Sequence, residues 1–248
     1  MSATRVADLE LALRLADQAD AITLPRFRAL DLVVQTKPDR SPVTEADLAV
    51  EAELRAVLGS ERPDDAVLGE EEGERGSGPR RWIVDPIDGT RNYLRGIPVW
   101  ATLVALEEGG VVTTGVVSAP ALGRRWWAGR GAGAFADGEP IRVSDVLRVE
   151  DAAVSFGLDR PLPPLADRAW HVRGFGDFWA HMLVAEGALD GAIDAVGVSL
   201  WDLAAVQVIV EEAGGRFSDF AGASRADGGS AVSSNGLLHE ELLAASQV

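Results

Sequence analysis

Apolar residues near the start of the chain recur three or four positions apart: Val6, Leu9, Leu13, Ala16 and Ala19. That spacing predicts a helix, which Pro25 bends or ends before Phe27. The stretch Thr36-Lys37-Pro38-Asp39-Arg40-Ser41-Pro42 is polar and holds two prolines, so it reads as a loop or irregular edge and a candidate mobile segment. Thr44 and Asp47 have the spacing of a capping box. They start a second helix through Leu48, Glu51, Leu54, Val57 and Leu58, with Gly59 as its stop. The period then shortens. Ala66-Val67-Leu68 and Arg81-Trp82-Ile83-Val84 are strand-like runs that each end in acidic residues. Residues 100–106 and 111–118 flank Glu107-Glu108-Gly109-Gly110 as a hairpin. Residues 126–135 carry Gly129, Gly131 and Gly133, but no helix pattern follows and Asp137-Gly138 signals a turn. A twisted strand and hairpin is therefore preferred to a phosphate loop.

The second half alternates strand and helix patterns. Residues 152–156 read as a strand, Pro161, Pro163 and Pro164 mark a loop before 165–169, and 171–173 is short and ambiguous. Asp177 opens a helix through Glu186, 189–195 reads as a strand, and Asp202 opens an amphipathic helix over 203–213 closed by Gly214-Gly215. Two short strands and a helix over 237–245 complete the chain. The change of pattern predicts an α+β half over 1–145 and an α/β half over 146–248. No apolar run approaches the roughly 20 residues of a membrane span. Asp8, Glu10 and Asp17 interrupt the first apolar segment, unlike a signal peptide, so cytoplasm is the expected location.

Composition narrows the chemistry. Of 248 residues, 23 are Lys or Arg and 39 are Asp or Glu, for a net charge of −16, and there is no cysteine. A disulfide scaffold and a zinc–thiolate module are excluded. Nucleic acid and anionic membrane surfaces are disfavoured as partners, because both attract basic proteins. Surplus carboxylates serve solubility and also permit cation binding.

Three acidic constellations carry candidate chemistry. Asp85 and Asp88 flank a short rigid segment, Pro86-Ile87, and can aim two carboxylates and a carbonyl at one region. Hard divalent cations take such an all-oxygen set. Gly89-Thr90 follows, where a glycine admits close backbone approach and a helix start would favour phosphate. Alone, this segment is equally an Asx-type turn. Gly69-Glu70-Glu71 ends a strand, and alone reads as a charge run with Glu72 and Glu74. Trp201-Asp202 starts a helix, and alone reads as a cap.

Taken together and in this order, Gly69-Glu70-Glu71, Asp85-Pro86-Ile87-Asp88-Gly89-Thr90 and Trp201-Asp202-Leu203-Ala204-Ala205 resemble the signature motifs of the inositol monophosphatase superfamily. Val43-Thr44-Glu45-Ala46-Asp47, Gly131-Ala132-Gly133-Ala134-Phe135 with Asp137-Gly138-Glu139-Pro140-Ile141, and Glu212-Ala213-Gly214-Gly215 add to the match, which spans about residues 6–245. The resemblance implies a layered αβαβα sandwich of mixed α/β class, with the active site between its halves. It implies that Glu70, Asp85 and the Ile87 carbonyl hold one magnesium, and that Asp85, Asp88 and Asp202 hold a second. Glu70 would also face a third, hydrated one. Gly89 and Thr90 would bind phosphate oxygens through backbone N–H groups. Thr90 and Asp47, with Glu70, would orient the attacking water, and Lys37 resembles a basic residue near that site. Magnesium would reconcile a phosphate ester with clustered carboxylates and activate water, so His171, His181 and His239 need no catalytic part. A small phosphomonoester substrate and a homodimer are implied as well.

The segment Arg173-Gly174-Phe175-Gly176-Asp177-Phe178-Trp179-Ala180-His181 looks like the histidinol-phosphate phosphatase branch, where an aspartate follows the glycine. Inositol-type members usually have a small or hydroxyl residue there, and a glutamate at the position of Ala195. Asp177 and Asp194 are expected to recognise the ammonium and imidazole of a cationic substrate, although Asp177 also reads as a helix cap and Asp194 as a strand-end carboxylate. Trp179 is expected to pack, and His181 to line the pocket or pack. The expected activity is magnesium-dependent hydrolysis of histidinol phosphate. Alternatives are an inositol monophosphatase or broad sugar-phosphate phosphatase, a 3′-phosphoadenosine-type nucleotidase, and a silent regulator binding RNA or a protein. Intact Glu70, Asp85, Asp88 and Asp202 speak against the last.

Overall fold

A computed structural model describes residues 2–157, 162–194 and 197–246. The sequence expectations at Pro161 and Ala195 lie outside the described residues.

Helix α1 (Ala3–Arg26) ends one residue past Pro25, as the proline predicts. Its core face is Leu11, Ala12, Leu15, Ala16 and Ala19, while Val6 is exposed and Leu9 and Leu13 are half-buried. The buried stripe is thus rotated from the expected one. Two neighbouring stripes carry apolar residues, and buried Asp8, bonded to Arg62 and Arg80, anchors the rotated one. The expected 36–42 loop is largely the tip of a hairpin between β1 (Val34–Thr36) and β2 (Pro42–Thr44). Helix α2 (Glu45–Glu61) begins with a complete capping box between Thr44 and Asp47. It passes through Gly59, which does not take the left-handed backbone of a stop, and closes with Arg62 N–H on the Leu58 carbonyl.

The central sheet holds β3 (Ala66–Gly69), β4 (Gly73–Arg75), β5 (Arg80–Asp88), β6 (Ala101–Glu108), β7 (Val111–Ala119), β8 (Arg124–Gly129), β9 (Gly133–Ala136) and β10 (Glu139–Ile141). Their spatial order is β10-β9-β8-β7-β6-β5-β3-β4. Neighbours are antiparallel except β3 and β5. The glycine-rich 126–135 stretch forms the β8–β9 hairpin, as expected. A short helix, α3 (Thr90–Leu94), follows β5.

A second sheet holds β11 (Ala153–Phe156), β12 (His171–Arg173), β13 (Gly191–Asp194), β14 (Arg216–Ser218) and β15 (Ala231–Ser234), in the order β12-β11-β13-β15-β14. The ambiguous 171–173 segment is its edge strand, parallel to β11. Helices α4 (Asp177–Ala185) and α5 (Leu200–Glu212) lie between the sheets, and α6 (His239–Ser246) covers the outer face. Helix, sheet, helix, sheet, helix is the layered mixed α/β sandwich that was expected.

Leu11, Leu15, Leu54, Leu58, Trp82 and Val104 fill the space between the first helices and the central sheet. Leu103, Val117, Trp126, Phe178, Met182, Val206 and Ile209 fill the middle layer. Helix α5 is not amphipathic as expected, because every residue from Leu203 to Val210 is buried. A helix packed on both sides by sheets has no solvent face to mark with polar residues. Its approach to the central sheet is close: a Cβ on Gly115 of β7 would lie 2.8 Å from the Ala205 carbonyl oxygen. Among the described residues no helix is long and apolar enough to cross a membrane.

Candidate active site

Strand β5 does not stop at Val84 but runs through Asp85-Pro86-Ile87-Asp88. Asp85 pairs with Leu103 and Asp88 with Ala101, so β5 carries one more residue than β6 across this stretch. Residues three apart on a regular strand face opposite sides. The extra residue reverses that alternation and brings both carboxylates to one side. Pro86 has no N–H to leave unpaired at the bulge, and its carbonyl accepts from Thr102 Oγ at 2.7 Å. Gly89 then takes a left-handed conformation (φ 82°), with Val99 O 3.1 Å and Asp177 Oδ2 3.3 Å from where a Cβ would stand. Thr90 Oγ donates to the Ile87 carbonyl at 3.0 Å.

Helix α5 delivers the third carboxylate. It begins at Leu200 with Ser199 as its cap, so Asp202 sits in the first turn and accepts from Ser199 N–H rather than opening the helix. One carboxylate oxygen each from Asp85, Asp88 and Asp202 lie within 4.8 Å of one another. Asp88 Oδ2 accepts from Phe178 N–H at 2.6 Å, and Asp85 Oδ1 is buried with no hydrogen-bond partner among the described residues. Burial, followed by the charges of Glu70, Asp88 and Asp202, pushes the Asp85 carboxyl well above the usual range. Burial and the charges of Asp177 and Asp202 do the same to Asp88. Asp202 is pushed up to about 6, mainly by burial. Two buried carboxylates, a half-buried third and an orphan oxygen are costly without a cation, and the all-oxygen donor set fits a hard divalent one.

Glu70 follows β3 beside this cluster. Lys37 Nζ donates to Glu70 Oε1 at 2.8 Å and to Glu71 Oε1 at 2.7 Å. Burial opposes the lysine charge, but the two carboxylates outweigh it and hold its pKa above the ordinary range. Burial pushes the Glu71 carboxyl up to about 7. Glu51, read from sequence as plain helix, proves to shape this turn: its carboxylate accepts from Glu71 N–H at 2.7 Å and Glu72 N–H at 2.9 Å. Gly69 has no side chain to collide with it, where a Cβ would come within 2.2 Å of Glu51 Oε1. Asp47 Oδ2 accepts from Thr44 N–H at 2.8 Å and from the Thr44 hydroxyl, while buried Oδ1 has no partner among the described residues. Burial pushes Asp47 up to about 6. Thr90 and Asp47 therefore bond Ile87 and Thr44 respectively.

A cleft of about 510 Å³ runs from Asp88 and Asp202 past Arg91 to Asp177, His181 and Asp194. Asp177 does not cap α4; Gly176 occupies the cap, and Asp177 is the first helical residue with a left-handed backbone, φ 57°. Its Oδ2 accepts from Asn92 Nδ2 at 3.1 Å. Burial, then the charge of Asp194, pushes it up to about 6 against the pull of Arg91. Trp179 packs on Phe175, with ring centroids 5.0 Å apart. Asn92, Arg91 and the Phe178 N–H gave no motif in the sequence, because only the fold brings them to the cleft.

The family model of the inositol monophosphatase family matches residues 7–248. The chain belongs to the inositol monophosphatase family. By that membership it is a phosphatase. It is 53% identical to a histidinol-phosphatase of Mycobacterium tuberculosis, over 95% of this chain and 96% of that one. It is 50% identical to a histidinol-phosphatase of Streptomyces coelicolor, over 95% of each chain. Among solved structures, an IMPase of Thermotoga maritima superposes with a TM-score of 0.88 at 31% identity, over 97% of each chain.

Proposed function

We propose that this phosphatase hydrolyses L-histidinol phosphate to L-histidinol and phosphate, with magnesium as its metal. The observation that carries the substrate is Asp177. A side chain on strained left-handed backbone, not used as a cap, stands with Asp194 in the cleft that leads from the carboxylate cluster. Strain of this kind persists where the surroundings enforce it, commonly at ligand sites. Two carboxylates suit a substrate that carries an ammonium and a protonatable imidazole, and they do not suit a neutral polyol. The similarity to histidinol-phosphatases supports the same substrate.

In this reading Glu70, Asp85, the Ile87 carbonyl, Asp88 and Asp202 hold two or three magnesium ions. When bound, magnesium supplies the positive charge that admits a phosphate ester and favours its attack by water. Gly89 and Thr90 bind phosphate oxygens with N–H groups of the first helical turn, which have no intrahelical partner. Asp47 Oδ1, Thr90 and Glu70 orient the attacking water. Homodimerisation, by resemblance to the family, and a cytoplasmic location, as expected from the sequence, are part of the same proposal.

The test compares Asp177→Ala with the parent on histidinol phosphate and on p-nitrophenyl phosphate, with magnesium. Loss of a charged hydrogen-bonding partner should lower kcat/KM for histidinol phosphate about 10- to 100-fold. The generic ester should lose far less. Equal losses, or a parent enzyme that prefers inositol phosphate or a 3′-phosphorylated nucleotide, would overturn the assignment.

A further inference from the structure

His181 lies on α4 one turn beyond Asp177, so the two side chains leave the same face of the helix. Its ring is 1% exposed yet lines the cleft. Nδ1 is 2.7 Å from Ser233 Oγ on β15. Nε2 has no hydrogen-bond partner among the described residues and stands 3.6 Å from Asp194 Oδ2, too far for a hydrogen bond. Buried polar atoms are nearly always paired, and an exception in a cleft marks an arrangement that something else completes. Asp194, at the end of β13, makes no side-chain hydrogen bond among the described residues; it stands next to His181, and its charge acts on Asp177, Asp88 and Asp202. A carboxylate otherwise free to rotate must be ordered before it can bind an ammonium, and that ordering weakens binding.

We propose that His181 is a positioning residue for substrate selection, acting through Asp194. The Ser233 hydroxyl donates to Nδ1, which leaves the ring proton on Nε2. Nε2–H closes onto Asp194 Oδ2 as the ligand ammonium arrives, and fixes the carboxylate in the orientation that receives it. Hydrogen bonds at such sites are commonly long in the free protein and tighten in the complex. The proposal rests on the reading of this cleft as the site of an ammonium-bearing phosphate ester.

The test uses two esters, L-histidinol phosphate and 3-(imidazol-4-yl)propyl phosphate, which lacks only the amine. His181→Phe keeps a ring without the N–H. His181→Gln returns an N–H near the place of Nε2, whereas His181→Asn reaches only the place of Nδ1. His181→Phe and His181→Asn should raise KM for histidinol phosphate about tenfold or more, as for other lost hydrogen bonds to charged groups. Their effect on kcat should be small by comparison, and the effect on the amine-free ester at least about fivefold smaller. His181→Gln should recover most of the affinity, and Ser233→Ala should lose part of it. Circular dichroism checks each fold; if the ring variants do not fold, calorimetric binding of L-histidinol to His181→Gln and Ser233→Ala decides. Equal losses on both esters, or no rise in KM, would overturn the role of His181 while leaving the substrate assignment standing. A parent enzyme that treats the two esters alike would overturn the ammonium reading and this role with it.

Discussion

Gly115→Ala should damage both stability and metal-dependent activity, although the residue lies in the middle of a strand away from the carboxylates. The added Cβ would stand 2.5 Å from Val208 Cγ1, 2.8 Å from Ala205 O and 2.9 Å from Ala205 Cα. The last two atoms are helix backbone, which cannot rotate aside as a side chain can. Ordinary contact begins at 3.4 Å, so α5 has to retreat from the central sheet by about half an ångström. Overpacking of this kind costs about 1–3 kcal/mol. In a chain of this size each kcal/mol lowers Tm by about 2–4 °C. Asp202 rides on the same helix, one turn before Ala205, and functional groups tolerate displacements of only about 0.5 Å. Turnover at fixed magnesium should therefore fall about tenfold, given that a misplacement of about 1 Å can cost about a hundredfold. The assay is a thermal melt paired with a magnesium titration of phosphate release. Gly59→Ala is the comparison, since nothing lies within 4 Å of its Cβ and it sits inside α2. It should raise stability by about 0.5–1 kcal/mol. If Gly115→Ala leaves Tm and the magnesium half-saturation point unchanged, the contact between β7 and α5 is not what sets Asp202.

Two further outcomes follow from buried charge. Asp85→Asn should abolish magnesium-dependent turnover, yet in chelator the variant should melt several degrees above the parent, because a buried carboxyl is removed from beside buried Asp88 and half-buried Asp202; a lower melting point would refute the repulsion. His239 is fully buried between Ser218 and Ser234, and burial, with Arg216 adding to it, lowers its pKa from 6.5 to about 4. The Ser218 hydroxyl donates to the Asp219 carbonyl and so accepts from His239 Nε2–H, a pattern that serves the neutral ring. With the folded pKa below the unfolded one, the unfolded chain binds the extra proton between those values. Stability is then fully present above pH 6.5 and lost as pH falls toward 4, by about 2 kcal/mol at pH 5. Denaturant melts from pH 7.5 to 5 should show that slope flattened in His239→Gln, and parallel profiles would sink the account.

The helices, the β6–β7 and β8–β9 hairpins and the three acidic constellations were legible because each is encoded locally, by spacing, turn residues and caps. What was not legible depends on contacts distant in sequence. The polarity of α5 misled because its second neighbour, the outer sheet, is built from strands before and after it. Glu51 read only as part of α2, because the turn it supports lies beyond β3. Asp85 and Asp88 were recognised as a pair, but their placement on one side depends on a bulge that shows only in the pairing with β6. His181 was expected to line the pocket or pack and does both, but its partners Ser233 and Asp194 were not legible, because they sit on strands from other parts of the chain.

The left-handed backbone at Asp177 also restricts what evolution can put there. Among side-chain-bearing residues, asparagine and aspartate enter that conformation most readily, and glycine enters it freely. Residue 177 therefore has a short alphabet of an anion, a neutral amide and no side chain at all. A lysine or a bulky apolar residue would have to overcome backbone strain as well as a poor fit to the cleft. On the proposed role of Asp177, drift at this position would weaken a preference for cationic ligands in single steps. It cannot readily invert the sign of that preference without first rebuilding the turn that leads into α4.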